Sequence, residues 1–317
     1  MKSYILKRIL SLIPVLLIVS IVVFMIIHLT PGDPAAVILG PEASHEDVKQ
    51  LQEELGLNDP VYQQYFHWVE GVFQGNLGDS FFMDKPVTEA ILEHLGPTIS
   101  LAILSQITAI LIALPLGIMA ARKRGTATDQ TFMGLSLLGI SIPHFLFGLF
   151  LIIILAINLR WLPVAGYKPL SAGFWEHIKY LIMPAIALGT GQAALIARMT
   201  RSSMVETLNL NFIKTARSKG LHERKVIYKH TLRNAFIPIL TVIGQTFGTL
   251  VAGAAVTETV FNIPGIGQLI INSVERRDYM VIQGTVLMVT LTYVLINLLV
   301  DLLYGVIDPR VRLKKES

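Results

Sequence analysis

The chain of 317 residues contains no cysteine, which excludes disulfides, thiol nucleophiles and Cys-ligated metals. Charge is scarce as well: Asp, Glu, Lys and Arg make up 15% of the sequence, against about 25% in an ordinary soluble domain. No Gly-x4-Gly-Lys-Ser/Thr phosphate loop occurs, so the chain cannot hydrolyse ATP by that route. A Gly-x-Ser-x-Gly elbow is also missing. His222-Glu223 lacks the second histidine of a zinc-protease helix, its place being taken by Val226. No metal site and no catalytic group is expected.

What the sequence has in excess is apolar length. Hydrophobic residues make up 53%, and six runs of about 19 to 27 residues stand out: Ile9–Leu29, Ile99–Ala121, Thr131–Ile157, Leu181–Met199, Ala235–Val260 and Val281–Ile307. About 20 helical residues cross a hydrocarbon core of about 30 Å. The expectation is an all-α integral membrane protein with six transmembrane helices. The first run follows Lys2, Lys7 and Arg8 like a signal peptide, but its apolar stretch is too long and no small-x-small cleavage site follows, so a retained anchor is expected.

Lys and Arg set the orientation. With the N-terminus inside, the inner segments carry 19 of the 26 basic residues, nine of them between Arg198 and Arg233. Both termini are then cytoplasmic. The net charge of +4 is mainly loop charge of this kind and is no nucleic-acid signature. Residues 30–97 form the one sizeable extracytoplasmic segment, with 12 acidic and two basic residues. Two short helices are expected there, Ser44 to Leu55 with a Ser44/Asp47 cap and Val61 to Phe73 with an apolar stripe. The organisation is therefore 1–97 as first helix plus outer segment, 98–307 as the core with a basic loop at 200–234, and 308–317 as a cytoplasmic tail.

That basic loop reads as a helix from Phe212 to Lys219 with Asn211 at its N-cap, a turn at Gly220, and a second amphipathic helix from Glu223 to Asn234. A loop that only fixes topology or binds anionic lipid needs a few charges, not two helices joined by a glycine. A rigid knob of this kind suits force transfer from a soluble partner.

Lys214-Thr215-Ala216, three residues, Gly220, then Leu232 resembles the Glu-Ala-Ala loop of bacterial ABC import permeases. Lys214 replaces the Glu, His230 the Ile and Arg233 the final Pro. These departures, with "TPGDP", "LGLNDPVYQQYFHW", "GNLGDSF", "TETVFNIPGIGQL", "RDYMVIQG" and "DPRVR" in order along the chain, resemble the peptide and nickel branch of the type I importers. The resemblance implies the type I permease fold and a coupling loop, at Lys214, Thr215, Ala216, Arg217, Gly220 and Leu221, that docks on a cytoplasmic ATPase. It implies a second homologous permease, two ATPase subunits that bind ATP and magnesium, and an extracytoplasmic binding protein. The location implied is the prokaryotic plasma membrane. Peptides are the implied cargo, with nickel or another small solute as the alternative. An ion-coupled secondary transporter is the less favoured reading, because the ionisable candidates His144, Glu258 and Asp301 are few and the last two lie off the middle of their runs.

Several polar groups remain open between roles. Gln106, Gln192, Gln245 and Thr246 fall within apolar runs and must face protein or water; each either lines a hydrated path or bonds between helices. Gly244 and Gly248 form a Gly-x3-Gly expected to serve helix packing. No substrate-binding residue is assigned.

Overall fold

The computed structural model describes residues 2–29, 33–40, 43–54, 56–80 and 82–307. Thr30–Gly32 of the "TPGDP" stretch, the "DPRVR" motif and the tail 308–317 lie outside the described residues.

The described chain is mostly helical, because long apolar stretches must satisfy their backbone polar groups internally. Helix α1 spans Lys2–Leu29, with a described apolar part Leu10–Ile26. Four later helical segments are long and apolar enough to cross a membrane: α5 (Val87–Arg122), α8 (Phe174–Leu208), the segment Glu223–Val251 that ends in α11 (Arg233–Val251), and α14 (Tyr279–Ile307), described for this purpose to Leu303.

The run Thr131–Ile157 departs from the expected single helix. It is split into α6 (Ala127–Ser141) and α7 (His144–Leu151, continuing as a π-helix to Asn158), and the two meet at 96°. Pro143 is the cause. Its ring bars the helical conformation for the residue before it, and Ile142 sits at φ −85°, ψ 122°. The run Ala235–Val260 is also broken. Helix α11 stops at Val251, Gly253 turns the chain at φ +103°, and α12 (Ala255–Val260) carries Glu258 outside the span.

The core is built on α5 and α8, whose facing residues are small. A Cβ on Gly117 would sit 2.6 Å from Thr200 Cβ, and one on Gly189 would sit 2.7 Å from the Ser105 carbonyl oxygen. Backbones approach this closely only where side chains are absent, and dense packing replaces the hydrophobic drive that lipid cannot supply. The Gly-x3-Gly of α11 serves packing as expected: Cβ atoms there would meet Val300 at 2.3 Å and Tyr293 at 2.8 Å, both on α14.

At the other end of the bundle lie α2 (Pro34–Leu39), α3 (His45–Glu54), α4 (Val61–Phe73) and a two-residue antiparallel pair, β1 (Asp79–Ser80) with β2 (Lys85–Pro86). The Ser44 hydroxyl accepts from the Asp47 N–H at 3.2 Å while the Asp47 carboxylate accepts from the Ser44 N–H at 3.2 Å, the reciprocal cap read in the sequence. Tyr65 and Trp68 of α4 pack on Phe24 of α1, with ring centroids 5.3 and 5.8 Å apart. Helix α13 (Ile266–Arg276) completes this end, joined by a core of Leu77, Val87, Ile91, Ile266, Leu269 and Val281.

Candidate functional site

The basic loop folds as a compact helical knob. Helix α9 spans Asn211–Ser218, with Leu210, one residue earlier than expected, at its N-cap. Gly220 holds φ +75° and turns the chain into α10 (Glu223–Lys225), a π-helix over Val226–Leu232 and α11. Arg217 clamps the turn by donating two hydrogen bonds to the Glu223 carboxylate, at 2.8 and 3.2 Å. That pairing raises the Arg217 guanidinium above its ordinary value.

The six residues singled out in this loop divide by direction. Lys214, Thr215, Arg217 and Gly220 are exposed, and Leu221 is half-buried. Ala216 turns inward with Ile213 and is 8% exposed, so its role is to seat α9 on its own chain. Two residues that the sequence did not single out join the exposed face: Phe212 at 42% and Tyr228 at 53% exposure. Their sequence signal is that each lies beside a buried position, Ile213 and Ile227, and so off the apolar stripe.

A cavity of about 850 Å³ opens along α11, the helix that continues from the knob. Its walls come from α6, α7, α8 and α11, and its polar lining includes His144, Gln192, Arg198, Gln245, Thr246 and Thr249. The four polar groups left open by the sequence thus separate. Gln192, Gln245 and Thr246 line the cavity, while Gln106 lies behind it and accepts a hydrogen bond from the Thr246 hydroxyl at 3.2 Å. Arg198 and Arg201 lie where the sequence suggested only loop charge; both line the cavity. Arg201 is held by Asp129 of α6 through bonds of 2.6 and 2.7 Å, and the Asp129 carboxylate also accepts from the Gly125 N–H.

His144 stands at the broken helix. Its ring lies directly against Gly191 of α8, where an added Cβ would fall 1.9 Å from the imidazole. It lines both the large cavity and a second one of about 350 Å³, formed with Pro143, Leu188 and Ala254–Thr257. The imidazole therefore stands between the two spaces. Its place follows from Pro143, which ends α6 and starts α7 at this level.

Beyond the second cavity, the stretch Phe261 to Gly267 folds inward. Phe261 and Ile263 are core residues, and the Phe261 ring fills the space over Gly148. Glu258 is 0% exposed and accepts from the Thr98 hydroxyl at 2.8 Å and the Gln268 N–H at 3.0 Å. Thr98 in turn accepts from the Ile266 N–H at 2.8 Å, so one carboxylate ties α5, α12 and α13 together.

Nearly the whole length of the chain has known counterparts. Residues 1–102 match the N-terminal family of binding-protein-dependent transport system membrane components, and residues 113–313 match the binding-protein-dependent transport system inner membrane component family. A probable peptide ABC transporter permease protein, y4tP, of Sinorhizobium fredii is 44% identical over 312 residues, covering 98% of this chain and 100% of that one. The glutathione transport system permease protein GsiC of Escherichia coli (strain K12) is 43% identical over 314 residues, 99% and 100% of the two chains. Among solved structures, a chain of the inward-facing MetNI methionine ABC transporter superposes with a TM-score of 0.57 at 18% identity, covering 69% of this chain and 96% of that one, a likeness of fold. With both family matches in register along nearly the full sequence, this chain belongs to the binding-protein-dependent transport system inner membrane components, as a permease component of an ABC importer.

Proposed function

We propose that the chain is one of two related permease halves of an ATP-driven importer for short peptides. A binding protein delivers the cargo at the end formed by residues 33–97, and two ATPase subunits carrying ATP and magnesium dock on the knob. Both termini and the knob face the cytoplasm in this reading, following the basic-residue distribution. The first helix with its outer segment (1–97), the core (98–307) and the tail (308–317) act as one subunit. Peptide cargo rests on the relatives named above, one a probable peptide permease and one a glutathione permease.

The observation that carries the reading is the continuity of knob and cavity. The helical segment Glu223–Val251 begins at the Arg217–Glu223 clamp and ends in the cavity wall at Val242, Gln245, Thr246 and Thr249. From Glu223 to Gln245 is about 33 Å at 1.5 Å per residue. Displacement of the knob as the ATPases close is thereby delivered to the cavity along one continuous helical segment. The docking face is Lys214, Thr215 and Arg217 with Phe212 and Tyr228, a basic surface with apolar centres. It suits an ATPase groove with an acidic rim and an apolar floor. Gly220 and Leu221 shape that face, and Ala216 anchors it from beneath.

Purification from native membranes in mild detergent tests the assembly. Two ATPase chains and a sister permease are expected to accompany this one, and the reconstituted complex is expected to import short peptides when given its binding protein and ATP. Repeated recovery of the chain alone from a transport-competent extract would overturn the reading.

A further inference from the structure

The cavity has a definite electrostatic character. Among the described residues, no Asp or Glu lines it. Of its two arginines, Arg201 is neutralised by the two-bond clamp to Asp129, whereas Arg198 makes no ion pair with any described residue. Among the described residues, the lining therefore holds one arginine without an ion-pair partner. Arg198 is an exposed residue that lines this space. Further along α8, Gln192 is 8% exposed, lines the cavity and makes no side-chain hydrogen bond to a described residue. Gln245 lines the space from α11. A side-chain amide that opens on a cavity with donor and acceptor both available is matched by another amide.

We propose that Arg198 is the carboxylate-binding residue of this cavity, and that it takes the free carboxylate of a short peptide whose amide groups lie against Gln192 and Gln245. This assignment rests on the importer reading and names the chemistry that the permease itself recognises. Spacing supports it. Six helical residues separate Gln192 from Arg198, about 9 Å along α8. An extended peptide advances about 3.3–3.6 Å per residue, so a di- or tripeptide covers that length. A volume of about 850 Å³ holds such a ligand with water. The guanidinium fork fits a carboxylate through two parallel bonds, and a cationic ligand finds no acidic partner among the described lining residues.

Because the chain has no cysteine, a Gln192→Cys variant carries its only thiol. In the assembled complex, reconstituted with its ATPases and without the binding protein, this thiol is treated with anionic sulfonatoethyl and cationic trimethylammonioethyl methanethiosulfonate. Modification of this chain is followed by mass spectrometry, with and without ATP. The anionic reagent is expected to react about tenfold faster, from one unit charge at this distance in a partly dry space. Adding Arg198→Gln is expected to erase that preference, and Arg198→Lys to keep most of it. Gln245→Cys gives the same readout from the opposite wall if the first variant fails to assemble.

No anionic preference, an equal preference without Arg198, or no labelling at either position in any nucleotide state would overturn the proposal. So would a preference present in phosphatidylcholine vesicles and absent with phosphatidylglycerol, since Arg198 would then be holding the net-anionic lipid headgroup. Uptake separates this proposal from the importer reading. Wild-type complex that imports no short peptide with its binding protein and ATP sinks the peptide importer reading, and the carboxylate assignment with it. Wild-type complex that imports peptides while Arg198→Gln imports free-acid peptides as fast sinks the carboxylate assignment alone. A fall of about tenfold in that uptake is the supporting result, corresponding to one charge-assisted pair.

Discussion

Gly220 holds φ +75° with no atom within 4 Å of where a Cβ would stand, so a side chain there meets backbone strain and no steric wall. A β-branched residue in this left-handed conformation costs about 1–2 kcal/mol. Gly220→Val is expected to leave membrane insertion intact and reduce peptide uptake per ATP hydrolysed about tenfold, the equivalent of that strain. Uptake and ATPase assays on the same proteoliposomes check this, and normal coupling would refute the role given to the turn. Gly191 poses the opposite case. An alanine there drives its methyl into the His144 ring, and the clash involves ring atoms. Gly191→Ala is expected to lower transport by displacing the imidazole between the two cavities, and His144→Ala in the same chain to recover part of the loss. Additive losses in the double variant would show that the two residues act independently.

At the scale of elements, the contact of α11 with α14 is set by missing side chains. A Cβ at Gly244 would lie 2.3 Å from Val300 Cγ2. Overpacking of this kind costs about 1–3 kcal/mol. Gly244→Ala is expected to lower the melting temperature of the purified complex, and Val300→Ala to restore it. The junction of α5, α12 and α13 depends on Glu258, whose carboxyl burial pushes above its ordinary value of 4.5 against the opposing bonds from Thr98, Gln268 and Gly267. The folded chain then holds this proton more tightly than the unfolded chain. Its contribution to stability is fully present below pH 4.5 and is lost as pH rises through the raised value. Glu258→Gln, which keeps the shape without the titration, is expected to flatten that part of the thermal unfolding profile against pH. A variant profile that falls as steeply as the wild type would assign the slope to another group.

For the whole molecule, the arrangement is a lever: a knob on one face, a cavity within, and a single helical segment between them. The two faces can be assigned directly, because the chain has no cysteine of its own. Ser218→Cys on the knob and Gln74→Cys beyond α4 are both at exposed positions. A membrane-impermeant maleimide is expected to label the Gln74→Cys chain in intact cells and the Ser218→Cys chain only after permeabilisation. The reverse pattern would invert the proposed orientation and remove the knob from the ATPase side.

Much of this was legible in one dimension. Apolar length dictated membrane residence, since no soluble core is built from runs of this kind. Pro143, Gly220 and the Ser44/Asp47 pair act on their immediate neighbours, so their effects follow from local sterics and hydrogen bonding. Even so, Thr131–Ile157 and Ala235–Val260 looked continuous, because hydropathy averages over the residues that break them. What only the tertiary structure decided is direction around each helix. Gln106 and Gln192 occupy similar apolar surroundings in sequence, yet one meets Thr246 and the other opens on a cavity. Arg198 and Arg201 lie three residues apart, and only the position of Asp129 on another helix leaves one neutralised and the other free to bind an anion. Whether a polar side chain is structural or functional depends on what faces it across the bundle, and that is fixed when helices distant in sequence pack together.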